Sequence, residues 1–76
     1  MILTINGKKT EFADETLKIP ELLRKIEVDS PDMVTVEVNG EIIYKASYPT
    51  FVIKDGDKIE FLYFMGGGSS LKGDKI

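Results

Sequence analysis

The stretch DGDKIEFLYFMGGG, residues 55–68, places a turn, an apolar segment and three glycines in immediate succession. Asp55-Gly56-Asp57 favours a tight turn, because glycine tolerates positive φ and aspartate forms local hydrogen bonds there. Residues 58–65 are mostly aromatic or aliphatic and predict a β-strand. The sequence after Met65, GGGSSLKGDKI, has too few apolar residues for a core element. We therefore expect a folded domain over residues 1–65 and a flexible C-terminal tail over residues 66–76.

Working outward, two further segments have the pattern of β-hairpins. Residues 1–5 form an apolar run that ends at Asn6-Gly7, a dipeptide suited to the positive φ angles of a two-residue turn, and residues 8–12 predict the returning strand. Residues 34–38, VTVEV, alternate between apolar and polar side chains, and Asn39-Gly40 precedes another apolar segment. Two Asn-Gly turns are thus expected, each connecting the two strands of a β-hairpin.

Between the hairpins, the spacing of apolar residues changes to that of a helix. Leu22, Leu23 and Ile26 recur on one side, with charged residues between them. Pro20 suits a first helical turn, where its missing N–H has no partner to lose. One short amphipathic helix is predicted from Pro20.

The resulting order is strand, strand, helix, strand, short strand, strand and tail. Strands covered by one helix indicate an α+β roll. The first and last strands are the most apolar, as expected if they pair in parallel at the centre of a β-grasp. We predict a ubiquitin-like β-grasp with a mixed four- to five-stranded sheet.

Composition excludes several classes of function. The chain has 76 residues, no cysteine and no histidine. It therefore has no disulfide or thiolate metal site, and it lacks histidine both as the commonest metal ligand and as the usual acid–base group at neutral pH. A net charge of -3 without a basic block argues against nucleic acid as a partner. No apolar run is long enough for a membrane span or signal peptide. We expect a small cytoplasmic protein, monomeric on its own, that binds no metal or cofactor.

The last predicted strand has more apolar side chains than one buried face requires. Alternate residues share a face, which groups Ile59, Phe61, Tyr63 and Met65 on one side. Leu62 and Phe64 remain for the other side. They either form a patch that docks a partner or pack beneath the helix or a loop.

The acidic residues have both structural and functional interpretations. A metal or acid–base role is conceivable for four carboxylates, but all adjoin predicted turns, where aspartate is favoured for local bonding: Asp14, Glu15, Asp55 and Asp57. Three others form either an acidic surface that steers a basic partner or ordinary solvated strand faces: Glu37, Glu41 and Glu60. We favour the structural interpretation for the first group and leave the second open.

The chain resembles the ThiS family of bacterial sulfur carriers, within the ThiS and MoaD ubiquitin-like superfamily. Four segments carry the resemblance: TINGK at 4–8, VTVEVNGEII at 34–43, VIKDGDKIEFLYFM at 52–65 and GGG at 66–68. The resemblance covers residues 1–68, and its most specific part is the Asp-Gly-Asp turn followed by an apolar strand and glycines. It implies that Gly67-Gly68 is the working pair, with Gly66 at a small-residue position of the arm.

The resemblance also implies a chemistry that belongs to partner enzymes. A ubiquitin-activating-type enzyme (ThiF-like) would use ATP to adenylate the Gly68 carboxylate. Sulfur from a donor such as a cysteine desulfurase would convert it to a thiocarboxylate, and thiazole synthase (ThiG-like) would take the sulfur for thiamine biosynthesis. The chain would then be a co-substrate rather than an enzyme.

The sequence departs from the family after Gly68, because family members usually end at the glycine pair. Residues 69–76 would have to be removed by a processing protease, unless they came from cloning or a shifted stop codon. Two other roles stay open: a carrier for molybdopterin or for cysteine or homocysteine synthesis, and a β-grasp module that binds partners without covalent chemistry.

Overall fold

Seven strands and one helix make up the part of the chain that the structure, a computed structural model, describes, which is residues 1–63. The elements are β1 (Ile2–Ile5), β2 (Lys8–Glu11), β3 (Thr16–Lys18), α1 (Ile19–Lys25), β4 (Val34–Val38), β5 (Glu41–Ile43), β6 (Val52–Lys54) and β7 (Lys58–Tyr63). Single 3₁₀ turns occupy Pro31–Met33 and Lys45–Ser47. The predicted domain boundary after residue 65 and the predicted tail lie outside the described residues.

Five strands form one mixed sheet in the order β2-β1-β7-β4-β5. β1 and β7 are parallel neighbours, with Ile5 opposite Ile59, and all other pairings in this sheet are antiparallel. The two most apolar strands thus lie side by side in the interior of the sheet. This arrangement confirms the predicted α+β fold.

A second, two-stranded sheet joins β3 to β6 in antiparallel register, with Leu17 opposite Ile53. The sequence interpretation omitted both strands from the order of elements. Each strand has three residues, of which only the central one is buried, so the alternation is too short to detect from sequence. The pairing brings together residues 34 to 38 positions apart, and only the tertiary fold creates it.

The helix confirms the predicted amphipathic segment. It begins at Ile19, and Pro20 lies in its first turn as expected. The Glu21 side chain accepts a hydrogen bond from the Lys18 backbone N–H at 2.8 Å and so caps the helix start. Leu22 and Leu23 are buried against the sheet. No helix within residues 1–63 has the length and hydrophobicity that crossing a membrane requires.

Both Asn-Gly dipeptides form the predicted turns. Asn6 and Gly7 have φ of 49° and 83°, and Asn39 and Gly40 have φ of 53° and 87°. Two successive positive φ angles are typical of the type I′ turn, whose twist matches that of paired strands. The turns therefore fix the registers of the β1–β2 and β4–β5 hairpins.

Candidate docking face and C-terminal strand

The start of β7 is fixed by Asp57, a carboxylate that is only 5% exposed. Its Oδ1 accepts a hydrogen bond from Asn39 Nδ2 and its Oδ2 accepts one from the Lys54 backbone N–H, both at 3.0 Å. The Asn39 Oδ1 in turn accepts from the Lys58 N–H at 2.9 Å. The Asp-Gly-Asp turn is therefore tied to the β4–β5 hairpin, because these bonds satisfy a carboxylate that would otherwise be buried without partners.

Further along, Asn6 holds β7 where β1 ends. The Asn6 N–H donates to the Ile59 carbonyl and the Asn6 Oδ1 accepts from the Phe61 N–H, both at 2.9 Å. Asn6 thus continues the hydrogen bonding to β7 beyond Ile5, the last residue of β1. β7 continues along β4 as far as Tyr63, opposite Val34, and from there the chain leads to the glycines.

The cross-strand pairs show which face of the sheet each β7 side chain occupies. Phe61 lies opposite Val36, a buried core residue, whereas Leu62 lies opposite Thr35 on the other face. We call this other face, opposite α1, the outer face. Leu62 is partly exposed and does not belong to the hydrophobic core.

Leu62 therefore does not pack beneath the helix. Ile42, at 52% exposure, lies on the same outer face, opposite Glu37 in the β4–β5 pair. Two apolar side chains from β7 and β5 are thus available on this face. Phe64, the second residue of the predicted docking patch, lies outside the described residues, so that patch as a whole stays a prediction.

Two of the three acidic strand residues are brought together on the outer face. Glu37 of β4 lies directly opposite Glu60 of β7. Glu41 lies opposite the core residue Val38 and so belongs to the other parity. Like charges at directly opposite positions destabilise a sheet slightly, and the pair places two carboxylates between Leu62 and Ile42.

Three of the four carboxylates near turns make structural contacts, as the structural interpretation predicts. Asp55 Oδ1 accepts a hydrogen bond from the Ile2 N–H at 2.7 Å. Asp14 lies 3.4 Å from Lys25 Nζ, Asp57 forms the bonds given above, and Glu15 is exposed. Within residues 1–63, no three or more such side chains cluster in a way that could hold a metal ion.

Three residues have structural roles that the sequence did not indicate. Asn6 and Asn39 were interpreted only as turn residues, yet their side chains position β7. Tyr48, which lies between β5 and β6, is buried: its hydroxyl accepts from the Val36 N–H at 3.0 Å and donates to the Val34 carbonyl at 3.3 Å. The one aromatic residue in the segment KASYPT, residues 45–50, was the available signal. The predicted working residues Gly66, Gly67 and Gly68 lie outside the described residues.

The sequence model of the ThiS family matches residues 3–68, most of the chain. The chain belongs to the ThiS family. Among curated relatives, it is 37% identical over 67 residues to the sulfur carrier protein ThiS of Bacillus subtilis, covering 88% of this chain and 100% of that protein. It is also 44% identical over 69 residues to a thiazole synthase of Paramagnetospirillum magneticum, where the match covers 91% of this chain but only 21% of the synthase.

Solved ThiS structures show the same fold. The crystal structure of the thiamine biosynthesis protein ThiS from Geobacter metallireducens is similar with a TM-score of 0.84 and 46% identity, covering 90% of this chain and 100% of that chain. A solution structure of a thiamine biosynthesis protein from the same organism gives a TM-score of 0.72 at 44% identity, covering 95% and 94%. These similarities confirm the resemblance to ThiS and the ubiquitin-like β-grasp.

Proposed function

We propose that this protein is a sulfur carrier for thiazole formation in thiamine biosynthesis, with the carboxylate of Gly68 as its working group. The family match, which ends at Gly68, carries this proposal. The full length of the Bacillus carrier corresponds to 88% of this chain, so residues beyond the family match are not needed for the fold of a carrier. Gly67-Gly68 is therefore the proposed working terminus.

The chemistry proposed for Gly68 has two steps, both performed by partners. The carboxylate attacks the α-phosphorus of ATP in a ubiquitin-activating-type (ThiF-like) enzyme, which forms an acyl-adenylate and releases pyrophosphate. Hydrosulfide then displaces AMP and leaves a thiocarboxylate directly. If a donor such as a cysteine desulfurase supplies the sulfur as a persulfide, displacement of AMP gives an acyl disulfide, and a partner's thiol cleaves it to the thiocarboxylate while forming a disulfide with the donor's sulfur. The chain itself lacks cysteine and histidine, which suits a carrier whose partners supply the reactive groups.

The glycines suit entry into a narrow active site. Gly66, Gly67 and Gly68 have no side chain to obstruct the approach and tolerate any backbone conformation. They follow β7, an interior strand of the sheet that is held on one side by β4 and on the other by β1 and Asn6. The held strand would orient the C-terminal arm, and the glycines would let its carboxylate reach into the partner's active site.

The outer face is the proposed docking surface for the adenylating enzyme. Leu62 and Ile42 supply exposed apolar area, and the Glu37–Glu60 pair between them supplies negative charge that would steer a basic surface. Phe64 continues the parity of Leu62 in the sequence, so we include it in this docking patch. Leu62 is two residues from Phe64 and six from Gly68, so binding here places the arm near its target.

Thiazole synthase is the proposed sulfur acceptor. The similarity to part of a Paramagnetospirillum thiazole synthase supports this choice, because a ThiS-like segment and thiazole synthase occur there in one polypeptide. A carboxylate at Gly68 requires that residues 69–76 be removed, and we propose a processing protease for that step.

A mass measurement tests the proposal. A chain ending at Gly68 and the 76-residue chain are each incubated with a ThiF-like enzyme, ATP and sulfide, and intact masses are recorded. We expect the shorter chain alone to gain the mass difference between one sulfur and one oxygen. A shorter chain ending at Gly67 is the matched control and should react poorly, because its carboxylate lies one residue short of the active site.

The result also separates the alternatives. In a parallel reaction, the same enzyme is shown to convert its own carrier. If neither form of this chain then gains mass, the remaining function is that of a non-covalent binding module. If the thiocarboxylate forms, adding it to thiazole synthase and to molybdopterin synthase in separate assays identifies the acceptor. Sulfur transfer only to molybdopterin would contradict the thiamine assignment.

A further inference from the structure

Asn6 does more than the turn between β1 and β2 requires. The turn needs a positive φ at this position, which glycine, asparagine and aspartate all tolerate, and Asn6 has a φ of 49°. Its side chain nevertheless bonds a residue 55 positions away, because the Asn6 Oδ1 accepts from the Phe61 N–H at 2.9 Å. The side chain therefore has a role that the turn itself does not explain.

The two sides of β7 are held differently towards its C-terminal end. On one side, β4 stays paired with β7 as far as Tyr63, which lies opposite Val34. On the other side, pairing with β1 ends at Ile59. Within residues 1–63, the bond from the Phe61 N–H to Asn6 is the last hydrogen bond that β7 makes on that side. One side chain therefore takes the place of a neighbouring strand along the part of β7 that leads to the C-terminal arm.

Asn39 makes the corresponding contacts at the opposite end of β7. Its Oδ1 accepts from the Lys58 N–H at 2.9 Å, and its Nδ2 donates to the buried Asp57. Both asparagines hold β7, but Asn39 acts on the first residue of the strand, whereas Asn6 acts on the residue two positions before Tyr63. Asn6 is therefore the asparagine whose loss would change the direction of β7 next to the arm.

We propose that Asn6 is a positioning residue for the adenylation of Gly68, because its bond to the Phe61 N–H sets the direction in which β7 delivers the arm. This inference rests on the sulfur-carrier function proposed above. The docking residue Leu62 is held separately, since it pairs with Thr35 of β4. Asn6 therefore acts on the placement of the carboxylate in the bound complex, where a misplacement of about 1 Å can lower a rate by about a hundredfold, and not on binding of the partner.

Two substitutions separate the side-chain bond from the turn. Asn6→Gly keeps a residue suited to positive φ but removes the acceptor, whereas Asn6→Asp keeps both the turn preference and an acceptor oxygen. Pyrophosphate release by a ThiF-like enzyme is measured at saturating ATP with chains that end at Gly68. We expect Asn6→Gly to lower kcat about tenfold or more while KM changes by less than about twofold, because the docking face is intact. Asn6→Asp should restore kcat.

Tyr48→Phe is the control for a general loss of stability. It removes buried bonds to β4 and leaves unchanged every side chain that bonds β7, so its kcat should match that of the parent chain. Three results would overturn the proposal: an equal fall in kcat for Asn6→Gly and Tyr48→Phe, a fall in Asn6→Gly that Asn6→Asp does not reverse, or an effect on KM alone.

Amide hydrogen exchange in the 76-residue chain tests the bond without an enzyme. We expect the Phe61 amide to exchange up to about tenfold faster in Asn6→Gly and at the parent rate in Asn6→Asp. The Leu62 amide, which the alternation of the strand directs towards β4, should exchange equally in all three chains. An unchanged Phe61 amide in Asn6→Gly would overturn the proposal.

The two measurements also distinguish failure of this inference from failure of the sulfur-carrier function. A parent chain that is adenylated as well as Asn6→Gly would overturn the positioning role of Asn6 alone. A parent chain that is not adenylated, by an enzyme that adenylates its own carrier, would overturn the proposed function and this inference with it.

Discussion

The Tyr48 hydroxyl is the clearest single group that stabilises the fold. It is buried and bonds the N–H of Val36 and the carbonyl of Val34. Tyr48→Phe removes these bonds, and we expect the free energy of unfolding to fall by about 1–3 kcal/mol because buried polar groups lose a partner. Urea unfolding measures this as a lower midpoint with an unchanged slope. Tyr44→Phe, at a site that is 78% exposed, is the control; equal midpoints for the two variants would contradict the prediction.

Asp57 and Asp55 provide a matched pair in one turn. Both Asp57 oxygens accept hydrogen bonds inside the protein, whereas only the Oδ1 of the exposed Asp55 does so. Asp57→Asn replaces one acceptor with a donor that faces another N–H, so we expect a loss of about 1–3 kcal/mol in unfolding free energy. Asp55→Asn keeps its acceptor and should change stability by less than about 0.5 kcal/mol. Equal losses in thermal or urea unfolding would show that the Asp57 network is not what fixes β7.

At the scale of the strand pair, the opposed Glu37 and Glu60 on β4 and β7 cost stability. Glu60→Lys turns a repulsive pair into an attractive one, and we expect a gain of roughly 0.2–1 kcal/mol at low salt. The gain should shrink as ionic strength rises. Glu41→Lys makes the same change in net charge but lies opposite Val38, so it serves as the control. An equal gain in both variants would attribute the effect to net charge rather than to the pair.

At the scale of the whole molecule, docking on the outer face predicts an effect of Leu62 on activation by the partner. Leu62→Ser in the chain ending at Gly68 should raise the KM for adenylation about tenfold or more, since burying a leucine in an interface contributes about 1.5–3 kcal/mol. The control is Val52→Ser, at an apolar site with 46% exposure on the second sheet. Melting curves check that both variants fold. A KM that changes equally in both, or in neither, would exclude the outer face as the docking surface.

The sequence alone determined the local elements, because each is specified by residues that are near one another in the chain. The Asn-Gly turns, the helix beginning around Pro20 and the strand after Asp57 all follow from backbone preferences and apolar spacing. The parallel pairing of β1 and β7 was also predictable, because the most apolar strands occupy the interior of a sheet.

The tertiary structure alone decided the features that depend on distant partners. Pairing of β3 with β6 joins residues far apart in sequence. Neither strand is long enough for its alternation of buried and exposed side chains to predict a strand. The register of β7 against β4 placed Leu62 on the outer face and Glu60 opposite Glu37. Likewise, the buried bonds of Asp57 and Tyr48 exist only once other strands supply their donors and acceptors. Local patterns encode elements, whereas a side chain acquires its partners only when the elements pack.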